Sequence, residues 1–280
     1  MKQFLNLAIL FIALAMIPSC REKDLDMTPM TQTLYEGAEI NEITAEDAWN
    51  ITVVQDNENS FVELEYSAFL DEYIQVSKEG PELKIGFSRY LNLPANTVMN
   101  ATIHTASVKK LHFSDAVTAV LEGQFPETAL TLELEDASTC KGGNFTGIAD
   151  VKLSSASTLV DCYFHGRSCE IELEDASVFK GWFTEDSLTV KVDEASRLTT
   201  YGGYVSWADV VVSDASFLNM LETYVSEKMT IAVQDASEAS VAVWRPATLE
   251  GWVIDASALY YKGNPTLDVG CDASSILRPL

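Results

Sequence analysis

Histidine and basic side chains are scarce in this sequence. Three histidines (His104, His112, His165) and 18 lysines and arginines stand against 42 aspartates and glutamates, giving a formal net charge of −24. A surface of that sign repels phosphate backbones and anionic headgroups, which excludes a nucleic-acid partner. The histidines are scattered, and no nucleophile elbow, phosphate loop or zinc-binding helix motif occurs, so no catalytic residue is assigned and the expectation is a non-enzyme. Cysteine is also sparse. Beyond Cys20, the four at Cys140, Cys162, Cys169 and Cys271 match neither a zinc site nor a disulfide framework. Cys140 and Cys169 read as small core residues, with a Cys162–Cys169 bridge left open as an alternative. Neither a metal nor a cofactor is expected. Apolar residues at helical spacing are absent from the repeats, and no apolar run after residue 20 is long enough to cross a bilayer.

What is present is a recurring triplet: Asp136-Ala137-Ser138, Asp175-Ala176-Ser177, Asp214-Ala215-Ser216, Asp235-Ala236-Ser237, Asp255-Ala256-Ser257 and Asp272-Ala273-Ser274. Asp115-Ala116-Val117, Ser155-Ala156-Ser157 and Glu194-Ala195-Ser196 fill the gaps, so the central alanines recur at intervals of 17 to 21 residues. A fixed period near that value is the mark of a solenoid. Seven, five and three residues before the alanines lie apolar columns; the last of these reads Leu134, Leu153, Leu173, Val192, Val212, Val233, Val253. Such period-two alternation predicts one strand with a buried face per repeat, and strands of like direction stacked in register make a parallel β-helix. The triplet is expected to be the corner: alanine facing inward, aspartate bonding backbone N–H groups as an Asx-turn.

Residues 1–20 have the length and flanks of a secretory signal. Ile17-Pro18-Ser19-Cys20 resembles the lipobox of bacterial lipoproteins, which implies lipidation of Cys20 and makes that lipid the only membrane contact; plain secretion is the alternative. Residues 21–42 read as a polar tether, residues 43–110 as irregular first coils with an N-terminal cap, and residues 111–280 as regular coils. Trp49-Asn50-Ile51-Thr52-Val53, Gly80-Pro81-Glu82-Leu83-Lys84-Ile85 and the alanine-serine coils resemble the head GIN domain family over about residues 43–280. That resemblance implies an all-β, single-stranded right-handed parallel β-helix, located in the cell envelope (outer membrane or cell surface), with an adhesin role. It carries no functional residues over to this chain.

Three features are candidates for function. One is the acidic corner column of Asp115, Asp136, Asp175, Glu194, Asp214, Asp235, Asp255 and Asp272, assigned to turn capping, with a calcium ladder in a stiffened structural spacer as the alternative. Another is the column four residues before the alanines, where Glu133, Lys152, Glu172 and Lys191 alternate in sign before it turns apolar at Val211, Ala232 and Trp252. With Ile254, the last three form a candidate contact patch for an extracellular glycan or protein, unless the C-terminal segment covers them. The last is an aromatic series, Phe125, Phe145, Phe164, Phe183, Tyr204, Tyr224 and Trp244, read as a core stack with a sugar platform as the alternative. Coils this short leave no room for the insertions that build a cleft. A binding or display module is therefore placed ahead of a carbohydrate-active lyase or glycosidase.

Overall fold

The structure, a computed structural model, describes residues 25–280 except Arg245, with the side chains of Glu127 and Thr128 also left aside. Its strands are β1 (Pro29–Leu34), β2 (Glu42–Ala45), β3 (Asn50–Gln55), β4 (Phe61–Ser67), β5 (Ile74–Glu79), β6 (Glu82–Phe87), β7 (Met99–Thr105), β8 (Lys110–Phe113) and β9 (Thr118–Leu134). They continue with β10 (Thr139–Leu153), β11 (Thr158–Leu173), β12 (Val178–Val192), β13 (Arg197–Val212), β14 (Phe217–Val233), β15 (Glu238–Val243), β16 (Thr248–Val253), β17 (Ala258–Lys262), β18 (Thr266–Cys271) and β19 (Ile276–Pro279). From β8 onward successive coils pair in parallel, and the whole is a β-solenoid of about 8 turns with roughly 20 residues per coil. Among the described residues no helix is long and apolar enough to cross a membrane.

The expected columns are the core. Leu132, Val151, Ile171, Val190, Val210 and Ile231 face each other across successive coils and are buried, as are the members of the column beginning at Leu134. Gly251 continues the first of these. A Cβ there would lie 1.8 Å from the Ile231 carbonyl oxygen, and its φ is +136°, so two coils approach too closely for any side chain. Three residues after its alanine, where Leu159, Phe179 and Leu198 are buried on earlier coils, Ile276 stands opposite Ala258 and is exposed.

The corner is where expected, but its side chains are turned the other way. Both the acid and the alanine have positive φ, 51° and 61° at Asp136 and Ala137, and the Ser138 N–H closes onto the Glu135 carbonyl at 3.1 Å. Two consecutive positive φ values with that bond define a type I′ turn rather than an Asx-turn. The turn carries the alanine outward into solvent and points the serine into the core, correcting the inward alanine. The strain of left-handed alanine is offset by a ladder between coils. The Ala137 N–H donates to the Ser155 carbonyl at 2.8 Å, and the Ala176 N–H to Glu194 at 2.9 Å. Buried serines form a parallel ladder: Ser196 Oγ accepts the Ser177 N–H at 3.1 Å, and Ser237 Oγ accepts that of Ser216 at 3.1 Å.

The N-terminal region also departs from expectation. Asp47 and Ala48 form the same positive-φ corner, with Trp49 in the buried place that serine takes elsewhere, and the Ala48 N–H donates to the Asp115 carbonyl at 2.8 Å. The coil β2–β3 thus stacks directly on β8–β9. Between them the chain leaves the stack to build β4 to β7, with β6 and β7 laid parallel on β2 and β3 and capped by antiparallel β4 and β5. β1 pairs antiparallel with β4, and Ile40 and Asn41 are buried. The polar-tether expectation for 21–42 is therefore corrected from Pro29 onward: that segment is folded. At the other end nothing among the described residues covers β18 and β19, whose inward Leu267 and Cys271 are exposed.

Candidate functional site

The acidic column stands in solvent along the corner edge. In place of capping, Asp175 and Glu194 of the column meet each other, and Asp214 meets the neighbouring Asp193. A hydrogen bond that the protonated Glu194 donates to Asp175 raises its pKa above the ordinary value, and the bond of Asp214 with Asp193 does the same. Among the described residues only Asp272 of the column accepts backbone N–H groups, from Ser274 and Asp255, each at 3.1 Å. With hydrogen bonds from Ser275, Asp255 and Ser274 its pKa falls to about 2. The turn-capping assignment is thus corrected for the rest of the column. The I′ backbone already satisfies the corner, so the side chains are not required there. Among the described residues no three His, Cys, Asp or Glu side chains group so as to hold a metal.

The second column keeps its predicted register: Lys152 stands opposite Glu133 and Glu172, then Lys191, Val211, Ala232, Trp252 and Gly270 follow on successive coils. The Lys191 ammonium lies 2.8 Å from Glu172 and 2.7 Å from Glu174, which holds the lysine above and Glu172 below its ordinary range. An exposed pair of this kind contributes about 0–1 kcal/mol. Beyond it Trp252 is 49% exposed, Val211 is exposed and Ile254 half-buried. Ala232, at 6%, offers no contact area and falls out of the patch. The glycine opposite Trp252 in the last coil leaves its indole uncovered.

The aromatic series divides. Phe125, Phe145, Phe164 and Phe183 are buried and stacked, with centroids 5.3 Å, 5.5 Å and 6.0 Å apart. Tyr204, Tyr224 and Trp244 are exposed, so the core assignment is corrected for these three. Gly203 takes the inward place opposite Phe183, and Tyr204 stands one residue later, opposite outward Thr184. In a strand one residue is the difference between faces. Sequence offsets missed Tyr201 and Trp207, also exposed; the Gly202-Gly203 pair was the available signal.

Offsets also missed Glu185, which occupies the inward column continued by Val205, Val225 and Val243. It is 5% exposed and its Oε2 has no partner; burial, then Asp186, raises its pKa to about 8. The four described cysteines are free, so the Cys162–Cys169 bridge is not formed, and burial pushes the Cys140 thiol up to about 12. An open groove of ≈ 410 Å³ beside the first corners is lined by Asp47, Asp115, Asp136, Tyr90, Leu91 and Leu93, with no basic side chain.

A family model described as "Putative auto-transporter adhesin, head GIN domain" matches residues 39–265. The chain belongs to this family. Among curated proteins none matches it. Of solved structures, a "putative lipid binding protein" from Parabacteroides distasonis ATCC 8503 aligns with TM-score 0.67 at 12% identity, covering 91% of this chain and 98% of the other. A "putative adhesin" from Parabacteroides merdae ATCC 43184 aligns with TM-score 0.65 at 11% identity, covering 90% and 96%. Another from P. distasonis ATCC 8503 gives 0.63 at 13%, covering 91% and 98%. At such identities the likeness is one of fold. Membership of an adhesin family places the chain with cell-surface or envelope proteins.

Proposed function

We propose that the chain is a non-catalytic, adhesin-like binding module displayed at the cell envelope. The observation that carries this reading is Trp252, half exposed on an outward face between Val211 and the final coil, with Ile254 beside it. Exposed apolar side chains gathered beside one another, rather than scattered singly, are the kind of surface that marks an interaction site. The flat ladder faces of the regular coils support display over a lyase or glycosidase. The partner would be an extracellular protein or glycan.

The test is retention of cells displaying the full chain on surfaces coated with mucin, matrix protein or polysaccharide. Display should raise retention and Trp252→Ala should lower it. Equal retention of displaying and non-displaying cells on every coating would contradict the reading. The anchor is part of the same proposal. Cys20 lies outside the described residues, and a lipid on it supplies the attachment. Cys20→Ala should move the protein from the membrane to the soluble fraction; unchanged fractionation would rule out the lipid.

A further inference from the structure

We propose a second binding site, separate from Trp252, in which Tyr201, Tyr204, Tyr224 and Trp244 form a platform for a neutral oligosaccharide chain. These side chains lie at the bend between the two halves of each coil, away from the Asp-Ala corners. They occupy three consecutive coils. Tyr204 stands directly opposite Tyr224, and the Tyr224 and Trp244 rings meet edge to face at 6.2 Å. Tyr201 leans on the Trp182 indole of the preceding coil, with centroids 4.8 Å apart. All four named rings are exposed, although such side chains usually bury most of their area.

The chemistry of the strip selects its occupant. Aromatic faces are electron-rich and flat, and they offer large contact area at low entropic cost. The complementary surface is a pyranose ring, with its C–H groups on one face and hydroxyls around its edge. Coils repeat at about 4.8 Å, so rings on successive coils form a row that follows a linear polymer. Exposed charges of both signs border the row, with Asp186 and Glu222 against Lys180 and Lys262. Lys262 continues the column of Tyr224 through Ala242. Such a border provides donors and acceptors for hydroxyl groups without favouring an ion. Acidic sugars and anionic lipid headgroups are disfavoured further by a chain carrying −24. A zwitterionic membrane surface is the competing occupant, and a surface-lying element usually adds a lysine- and arginine-rich rim, which is not seen among the described residues.

The test immobilises the full-length protein on a sensor surface. Soluble neutral oligosaccharides of glucose, mannose, galactose and N-acetylglucosamine, and phosphatidylcholine vesicles, are then passed over it. The expected result is saturable binding of at least one oligosaccharide. Tyr204→Ala and Trp244→Ala should each weaken it about tenfold or more, the loss expected for a central aromatic contact. Tyr204→Phe should keep most of the affinity, Tyr90→Ala, at an exposed ring beside the first corners, should leave it unchanged, and thermal midpoints should match wild type. Failure of every oligosaccharide to bind would overturn the proposal, as would binding indifferent to both alanine variants. Vesicle binding lost in those variants, with the sugars silent, would overturn it in favour of a membrane surface. None of these results touches the Trp252 reading, which the cell-retention test decides.

Discussion

From Phe125 to Phe183 the aromatic series fills the solenoid's interior; from Tyr204 to Trp244 it stands on the outside. The corners, coil lengths and pairing direction are alike in the two regions. What differs is one place per coil. Where β10, β11 and β12 put phenylalanine inward, β13 puts Gly203 and β14 Thr223, and β15 skips the place, passing from Val241 opposite Met220 to Ala242 opposite Tyr224. The core is refilled with smaller side chains and the aromatic is released to the surface one residue later. A repeat can therefore create a potential binding face without altering its architecture, by moving a ring across the pleat.

The strongest test of that division is to place charge on each side of it. Leu173→Asp would bury an unpaired carboxylate between the coils of the phenylalanine region and should cost about 4 kcal/mol or more, enough to leave little folded protein by circular dichroism. Val211→Asp, outward in the other region, should stay within about 0.5 kcal/mol of wild type. The crossing point itself is probed by Gly203→Ala. Its φ of +136° and a Cβ 1.6 Å from the Phe183 carbonyl oxygen predict a loss of about 1–3 kcal/mol in urea unfolding. A neutral result would mean that Gly203 does not hold the inward place.

A smaller effect is expected from pH. Glu185 shares its inward column with Val205, Val225 and Val243, and its folded pKa of about 8 lies above the ordinary carboxylate value of about 4.3. The folded state therefore holds the proton where the unfolded chain has released it. That contribution is fully present below about pH 4.3 and is lost as pH rises through about 8. Thermal midpoints should fall across this window, and Glu185→Gln should flatten the fall. An equally steep fall in the variant would place the titrating group elsewhere.

Much of this was legible in the chain, for reasons that particular residues make plain. The leucine and valine columns were readable because strand alternation fixes a face two residues at a time, and Trp252 was placed on its column by the same count. The corners were located by Asp-Ala-Ser but turned the wrong way, since a type I′ turn cannot be told from an Asx-turn by composition alone. Asp47-Ala48 escaped notice because the cap strands separate it from the next corner, breaking the period. β1 carries no buried face and so gave no alternation to read. The fate of Tyr204 depended on one extra residue near Tyr201, where the pairing of β12 with β13 slips, and no offset from the corner records such a bulge.

The central claim, that one aromatic series changes face between β12 and β13, is tested most directly by denaturant unfolding of Phe183→Ala beside Tyr204→Ala. The account predicts a loss of about 3–5 kcal/mol for Phe183→Ala, the cost of emptying a packed core site. For Tyr204→Ala it predicts a change within about 0.5 kcal/mol. Similar losses in the two variants would show both rings in the core and contradict it.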